Sequence, residues 1–152
     1  MFPPEVGCHE DELAACGGTP LGGSGLLNMC IEYDEMELAA WMIERGADVN
    51  LVARVDAEGF GGHTPLFNCV VCQFGGGHGR HAEFMKLLLA HGADTSVRAS
   101  LRKGLRGSDD DSLHEYRDVT ALEWGEQFHD RSIVNELALS VLRQRVKSRE
   151  RR

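Results

Sequence analysis

The sequence has few of the features that mark secreted, membrane-spanning or disulfide-built proteins. It contains no Asn-x-Ser/Thr glycosylation site, and its five cysteines are an odd number, whereas a secreted disulfide framework normally uses an even count. No apolar run approaches the roughly 18 residues that a membrane span requires. The first residues, "MFPPEVGCHEDEL", lack the basic start and apolar stretch of a signal peptide. We therefore expect a cytoplasmic protein with reduced thiols.

Motifs of the common enzyme classes are also missing. The chain has 18 glycines, but it has no Gly-x4-Gly-Lys-Ser/Thr phosphate loop and no Gly-x-Ser-x-Gly nucleophile elbow. No pattern sets a cysteine beside a histidine base, and no two carboxylates are placed to converge on an apolar scaffold. We predict a non-catalytic protein that needs no cofactor and holds no metal.

Charge is unevenly spread along the chain. The net charge is −8, yet the segment "LRQRVKSRERR" at residues 142–152 carries six basic residues and one acidic residue. The rest therefore has 10 basic against 23 acidic residues. Because nucleic-acid binding needs a basic face, an acidic body argues against a nucleic-acid partner. We expect neither nucleic acid nor membrane as partner, and we expect residues 146–152 to form a solvated basic tail.

A repeated phrase organises the chain. "WMIERGADVN" at residues 41–50 and "LLLAHGADTS" at residues 87–96 both read as the end of an amphipathic helix followed by Gly-Ala-Asp. Gly46 and Gly92 stand where a helix end favours a left-handed residue, which glycine adopts without a Cβ penalty. "HTPLFNC" precedes the second phrase, and "VTALEWG" follows later. Thr64 can cap a helix there, and Pro65 suits its first turn.

This arrangement resembles the ankyrin repeat, a unit of about 33 residues in which a turn precedes two helices. Thr64-Pro65-Leu66 matches the opening of the family motif, and Gly46-Ala47-Asp48 and Gly92-Ala93-Asp94 match its close. The resemblance implies an all-α fold, an ankyrin-repeat α-solenoid of about three helix-turn-helix units with long loops similar to those of bacterial members. In place of the motif's alanine stand small residues that keep the helices close, namely Cys30, Cys69 and Gly125.

The resemblance also sets the expected boundaries. The repeat domain spans 25–145, with units at about 25–51, 64–97 and 120–145, and residues 1–24 form a capping or linker segment. The second helices are expected to turn one apolar face inward, through Leu38, Ala39, Met42 and Ile43 in the first unit, Phe84, Leu87 and Leu88 in the second, and Ile133, Val134 and Leu137 in the third.

Extra residues lie in two connections between the units, at 51–63 and in the long loop 98–119, and in an insertion between the two helices of the second unit at 73–81. We call these two connections fingers, since in ankyrin arrays such connections project beside the concave groove that usually binds proteins. A short helix through "RASLRKGL" is expected in the second finger. The resemblance implies a monomeric protein–protein interaction module that binds an unidentified partner through its fingers and concave helix face. The candidate contact residues are Arg54, Phe60, Leu101, Arg102, Leu105, Arg106 and Tyr116. The alternatives for the second finger are that it only covers the edge of the last repeat or that it is disordered.

A zinc- or redox-responsive module is the alternative function. "CVVCQFGGGHGRH" contains the spacing C-x2-C-x5-H-x2-H through Cys69, Cys72, His78 and His81, which suits tetrahedral zinc. The repeat frame gives ordinary roles to three of them. Cys69 takes a small-residue position, Cys72 lies one turn later on the same face, and His81 starts the second helix. Only His78 has no structural role in that frame.

Overall fold

Six α-helices and one two-stranded sheet make up the described part of the chain. The structure is a computed structural model that describes residues 25–71, 80–103 and 114–151. The elements are α1 (Leu26–Glu32), α2 (Met36–Glu44), α3 (Pro65–Val70), α4 (His81–Ala90), β1 (Ala99–Lys103), β2 (His114–Val119), α5 (Ala121–Gln127), a 3-10 turn (Arg131–Ile133) and α6 (Glu136–Glu150). The capping or linker segment expected at 1–24 lies outside these residues.

The helices pack as pairs. α1 contacts α2, α3 contacts α4, and α5 contacts α6, while α3 also contacts both α1 and α5. α4 also packs against α6. Two helices therefore lie within each of the ranges 25–51 and 64–97, and the third pair begins within 120–145 but extends past it, because α6 ends at Glu150.

Local sequence signals explain where these helices begin and end. Pro65 occupies the first turn of α3, where its missing N–H costs no hydrogen bond. Thr120 caps α5 in a reciprocal capping box with Glu123. Gly46 and Gly92 follow α2 and α4 with φ of 90° and 86°, in the left-handed region that glycine tolerates.

Small residues let the short helices approach closely. Gly125 is buried in α5, where an added Cβ would lie 2.2 Å from Val70 Cγ1 and 2.7 Å from Leu139 Cδ1. Cys30 and Cys69 fill equivalent buried positions in α1 and α3. At Gly125 the neighbouring side chains leave no room for a Cβ, while Cys30 and Cys69 are buried.

Buried polar side chains link α1 to α3. Asn28 Nδ2 donates to Asn68 Oδ1 at 2.7 Å, and Asn68 Nδ2 donates to Glu32 Oε1 at 2.8 Å. All three side chains are buried. Because a buried polar group that loses its partner costs about 1–3 kcal/mol, this chain of bonds favours one alignment of the two helices.

The fold is mixed α/β, and the all-α solenoid expected from the sequence is wrong. The long loop 98–119 contains the antiparallel pair β1–β2, with Leu101 opposite Tyr116 and Arg102 opposite Glu115. The helix expected through "RASLRKGL" is a strand over Ala99–Lys103. Its side chains alternate between the core and the outside, since Ala99 and Leu101 are buried and Ser100 and Arg102 are not.

The inner face predicted for the third unit's second helix is also partly wrong. Asn135 caps α6 by accepting the Ala138 N–H at 2.9 Å, so the helix begins after Ile133 and Val134. The side chain of Leu137 is 72% exposed. The buried face of α6 consists of Ala138, Leu139 and Leu142. The helix continues through Glu150, so most of the expected basic tail is its last turns.

Candidate interaction surface

The first finger folds as an irregular hairpin. The Ala53 N–H donates to the His63 carbonyl at 2.8 Å, and the Gly62 N–H donates to the Ala53 carbonyl at 3.0 Å. Further out, the Asp56 N–H donates to the Phe60 carbonyl at 2.8 Å. The segment 51–56 is thereby paired with 60–63.

Asp56 builds the turn at the tip of this hairpin. Its Oδ1 accepts the N–H groups of Glu58 at 2.9 Å and Phe60 at 3.0 Å. These bonds, led by the one from Phe60, hold the pKa of the Asp56 carboxyl below its usual value. Gly59 completes the turn with φ of 88°.

The two fingers are joined by their backbones. The Gly61 N–H donates to the Ser100 carbonyl at 2.8 Å, which places 60–63 beside β1. Gly61 has φ of 123°, and a Cβ there would lie 2.1 Å from the Arg54 carbonyl oxygen. The segments 51–56 and 60–63 with β1 and β2 therefore form one continuous layer, which we call the finger layer.

Phe60 connects the two fingers by its side chain. The guanidinium groups of Arg102 and Arg117 lie 4.6 and 4.5 Å from the centre of its ring, and the side chain is only 5% exposed. Arg102 also pairs with Asp56 at 3.1 Å and with Glu58. Phe60 and Arg102, both predicted as partner contacts, thus bind each other inside the layer.

The inner side of the hairpin packs on the helices. Leu101 and Tyr116 are buried, and the ring of Tyr116 stacks on Phe128 at 5.5 Å. The Tyr116 hydroxyl accepts the His129 N–H at 2.8 Å and lies 2.7 Å from His129 Nδ1. Burial raises the pKa of Tyr116. Leu101 and Tyr116, also predicted as partner contacts, attach the layer to the helices.

Three predicted contact residues remain, and the structure describes only one of them. Arg54 is exposed on the first finger. Leu105 and Arg106 lie outside the described residues. Of the seven residues predicted from the sequence, the structure therefore describes five, and it brings Phe60, Arg102, Leu101 and Tyr116 together as internal contacts of the chain.

An exposed apolar strip, defined by Leu51, Val52 and Val55, lies on the outer segment of the finger layer. Their side chains are 52%, 53% and 55% exposed. None of these three residues was predicted as a partner contact; only Arg54, which stands between Val52 and Val55, was. The signal that could have revealed the strip is "LVARV" itself, which sets β-branched apolar residues in a connection that has no helical period.

The cysteine–histidine stretch is described only in part. Cys69 is fully buried, and its Sγ donates to the Pro65 carbonyl at 3.6 Å. His81 is 1% exposed, and burial lowers the pKa of its ring despite the nearby Asp34 carboxylate and Ile31 carbonyl. Cys72 and His78 lie outside the described residues, among which no three His, Cys, Asp or Glu side chains cluster to hold a metal.

A groove of about 660 Å³ lies between the turn after α4 and the helices α5 and α6. Its charged lining is already paired in part, because Arg98 binds Glu123 at 3.3 Å and Arg149 reaches Thr95 Oγ1 at 3.5 Å. Charges of both signs line it, so it has no clear preference for a charged ligand. The apolar strip is the stronger candidate site.

Two kinds of wider observation complete the description. None of the helices within residues 25–71, 80–103 and 114–151 combines the length and apolar character needed to cross a bilayer. No family model matches the chain, and neither the curated proteins nor the solved structures contain a match to it.

Proposed function

We propose that this protein is a non-catalytic interaction module that binds a partner protein through the outer side of its finger layer. The resemblance of the Thr-Pro-Leu and Gly-Ala-Asp phrases to ankyrin repeats supports this class of function, because that family mainly binds proteins. The proposal includes a cytoplasmic location, which the odd cysteine count and the buried thiol of Cys30 support.

The exposed apolar strip carries the proposal. Each of the side chains of Leu51, Val52 and Val55 is more than half exposed. Fully burying one such side chain in an interface would stabilise a complex by about 1.5–3 kcal/mol. The contacts described above between the two fingers run through Phe60, Arg102 and the backbone. An apolar cluster of this kind on a fixed support is typical of a protein-binding surface.

Paired charge substitutions test the proposal. The variant Val52→Asp/Val55→Asp puts two carboxylates into the strip, and Leu137→Asp makes the same kind of change at a 72% exposed leucine on α6. Affinity capture from cells that express the natural chain, followed by titration of the purified partner, should show at least about tenfold weaker binding to the double variant, or about 1.4 kcal/mol.

The control is part of the same experiment. Leu137→Asp should bind as the unaltered chain does, and circular dichroism should show that both variants are folded. A partner that binds the double variant undiminished would contradict the proposal.

A further inference from the structure

A groove of about 290 Å³ lies between α4 and α6, on elements apart from the finger layer. Two helices that pack against each other supply its described lining, which consists of Lys86, Leu89, Val141, Gln144, Arg145 and Ser148. The four lining residues of α6 follow the spacing i, i+3, i+4 and i+7, so they lie along one stripe of that helix. We call this feature the α4–α6 groove.

Positive charge without a carboxylate partner collects in the α4–α6 groove. Among the described residues, Lys86 makes no ion pair or hydrogen bond, and Arg145 donates to the Leu89 carbonyl at 3.4 Å. The described lining contains no acidic residue. Other arginines of the described chain do pair with carboxylates, namely Arg80, Arg98, Arg102, Arg117, Arg131 and Arg143. A chain of net charge −8 thus leaves the two cations of this groove uncompensated.

The helix dipoles do not account for these two cations. Basic side chains near the C-terminus of a helix interact favourably with its partial negative charge, and Lys147 and Arg149 occupy the last turn of α6 in this way. Lys86 and Arg145 lie outside the last turns of α4 and α6. An anionic ligand would supply the negative charge that neither a carboxylate nor a helix end supplies there.

We propose that the α4–α6 groove binds the phosphate group of a phosphorylated peptide. A phosphoserine or phosphothreonine carries a charge of about −1.5 to −2 at pH 7 and three strong acceptor oxygens. Its charge matches Lys86 and Arg145, and the guanidinium of Arg145 can bind two of the oxygens at once. The Gln144 amide and the Ser148 hydroxyl offer further donors beside them. The inference does not depend on the proposed function, because the groove takes a ligand of its own.

A phosphorylated peptide suits the α4–α6 groove better than a nucleotide or a nucleic acid does. No aromatic side chain stands among the described lining residues, so a base would have no ring on which to stack. Nucleic acid also needs an extended basic face, whereas the net charge of this chain is −8. A peptide with one phosphate needs only the local charge of the groove, and the partly buried Val141 offers an apolar contact to its flanking residues.

Removing the two charges together tests the groove. Lys86→Gln/Arg145→Gln takes away both cations and keeps polar side chains. Lys147→Gln/Arg151→Gln is the matched control, because it also removes two positive charges, at positions of the same helix end that do not line the groove. Circular dichroism checks the fold of both variants. If the groove variant is unfolded, Lys86→Gln alone repeats the test at an exposed side chain.

The probe is an array of peptides with random residues around a central phosphoserine, with matched arrays that carry serine or glutamate there. The strongest binder is resynthesised with a fluorophore and titrated with the full chain. We expect binding at least about tenfold weaker to the groove variant than to the unaltered chain, and equal within about twofold for the control variant. The serine and glutamate versions of the peptide should bind at least about tenfold more weakly, and added salt should weaken binding.

The opposite results separate the ways in which the inference can fail. Equal losses in the two variants would mean that the general positive charge of the helix end attracts the peptide. Equal binding of the phosphoserine and serine peptides would mean that the groove holds no phosphate. Vesicles of phosphatidylcholine and phosphatidylserine and a single-stranded oligonucleotide are titrated alongside. If either binds more tightly than the peptide and loses affinity for Lys86→Gln/Arg145→Gln, the phosphorylated peptide is the wrong ligand.

Discussion

Gly61 lies where the two fingers meet, and no side chain fits there. A Cβ would approach the Arg54 carbonyl oxygen to 2.1 Å, and the backbone has φ of 123°. Gly125 plays the corresponding part among the helices, where Val70 and Leu139 occupy the space that a methyl group would need. Overpacking of this kind typically costs about 1–3 kcal/mol. Both glycines are therefore fixed by close approach of neighbouring atoms.

Cys30 shows how burial sets the chemistry of a thiol. Its side chain is 2% exposed, and burial, with a smaller effect from Glu35, raises its pKa from 9.0 to about 11. Because the pKa of Cys30 is higher in the folded than in the unfolded chain, the stabilisation that this thiol contributes is complete below about pH 9. That contribution is lost as the pH rises through about 11. Between pH 8 and pH 11 the unfolding free energy should therefore fall by about 2 kcal/mol from this group.

Urea unfolding at the two pH values measures this effect, with Cys30→Ala as the control. The variant lacks the ionisable thiol. Its unfolding free energy should therefore fall between pH 8 and pH 11 by about 2 kcal/mol less than that of the unaltered chain. Parallel declines in the two proteins would show that the Cys30 thiol does not titrate as its buried position requires.

At the scale of elements, the finger layer depends on one cross-link between loops that are far apart in the chain. Arg102 on β1 stacks on Phe60 and pairs with Asp56 and Glu58 of the first finger. Exposed ion pairs contribute about 0–1 kcal/mol, and a cation over an aromatic ring adds about 0.5–1 kcal/mol. The cross-link is thus sufficient to order the fingers without dominating the stability of the whole chain.

Replacing Arg102 with methionine should loosen the layer locally. Arg102→Met keeps much of the apolar stem and removes the charge, so the Gly61 amide, which bonds to Ser100, should exchange with deuterium about tenfold faster. Global stability should fall by no more than about 2 kcal/mol. Arg143→Met, which removes an ion pair with Glu126 elsewhere, is the control. Equal exchange at Gly61 in both variants would mean that Arg102 does not hold the fingers together.

Much of the helical layout could be predicted, whereas the hairpin could not. Gly46, Gly92 and Pro65 favour helix ends through their own backbone conformations. This effect does not depend on distant contacts. Leu101 and Leu105 are spaced as on one helix face, but Leu101 instead pairs with Tyr116 across the hairpin. Such a strand is stabilised by its distant partner and by packing, so propensity along the segment says little about it.

The candidate site was predictable only in outline. Its location on the fingers and the exposure of Arg54 followed from the long connections. Phe60 and Tyr116 were expected at the surface because they stand in loops, yet Arg102, Arg117 and Phe128 cover them. Which of two apolar residues in a loop is buried depends on these tertiary contacts, and for that reason Val52 and Val55 were missed.

At the scale of the whole molecule, the described residues form two regions, the paired helices and the finger layer. The paired helices hold the core around Trp124 and Phe67, whose rings lie 5.8 Å apart. The finger layer is attached to them through Tyr116 and Phe128. Its outer segment carries the exposed strip of Leu51, Val52 and Val55, which lies outside the hydrophobic core.

A hydrogen-exchange footprint of the captured partner on the full chain tests this account most directly. The account predicts slower exchange on binding at residues 51–56, with the amides of Val52 and Val55 among the most protected. α6, including the exposed Leu137, should exchange as in the unbound chain. Protection confined to α6 or to the groove beside Arg98 and Arg149, with none at 51–56, would contradict the assignment of the finger layer as the binding surface.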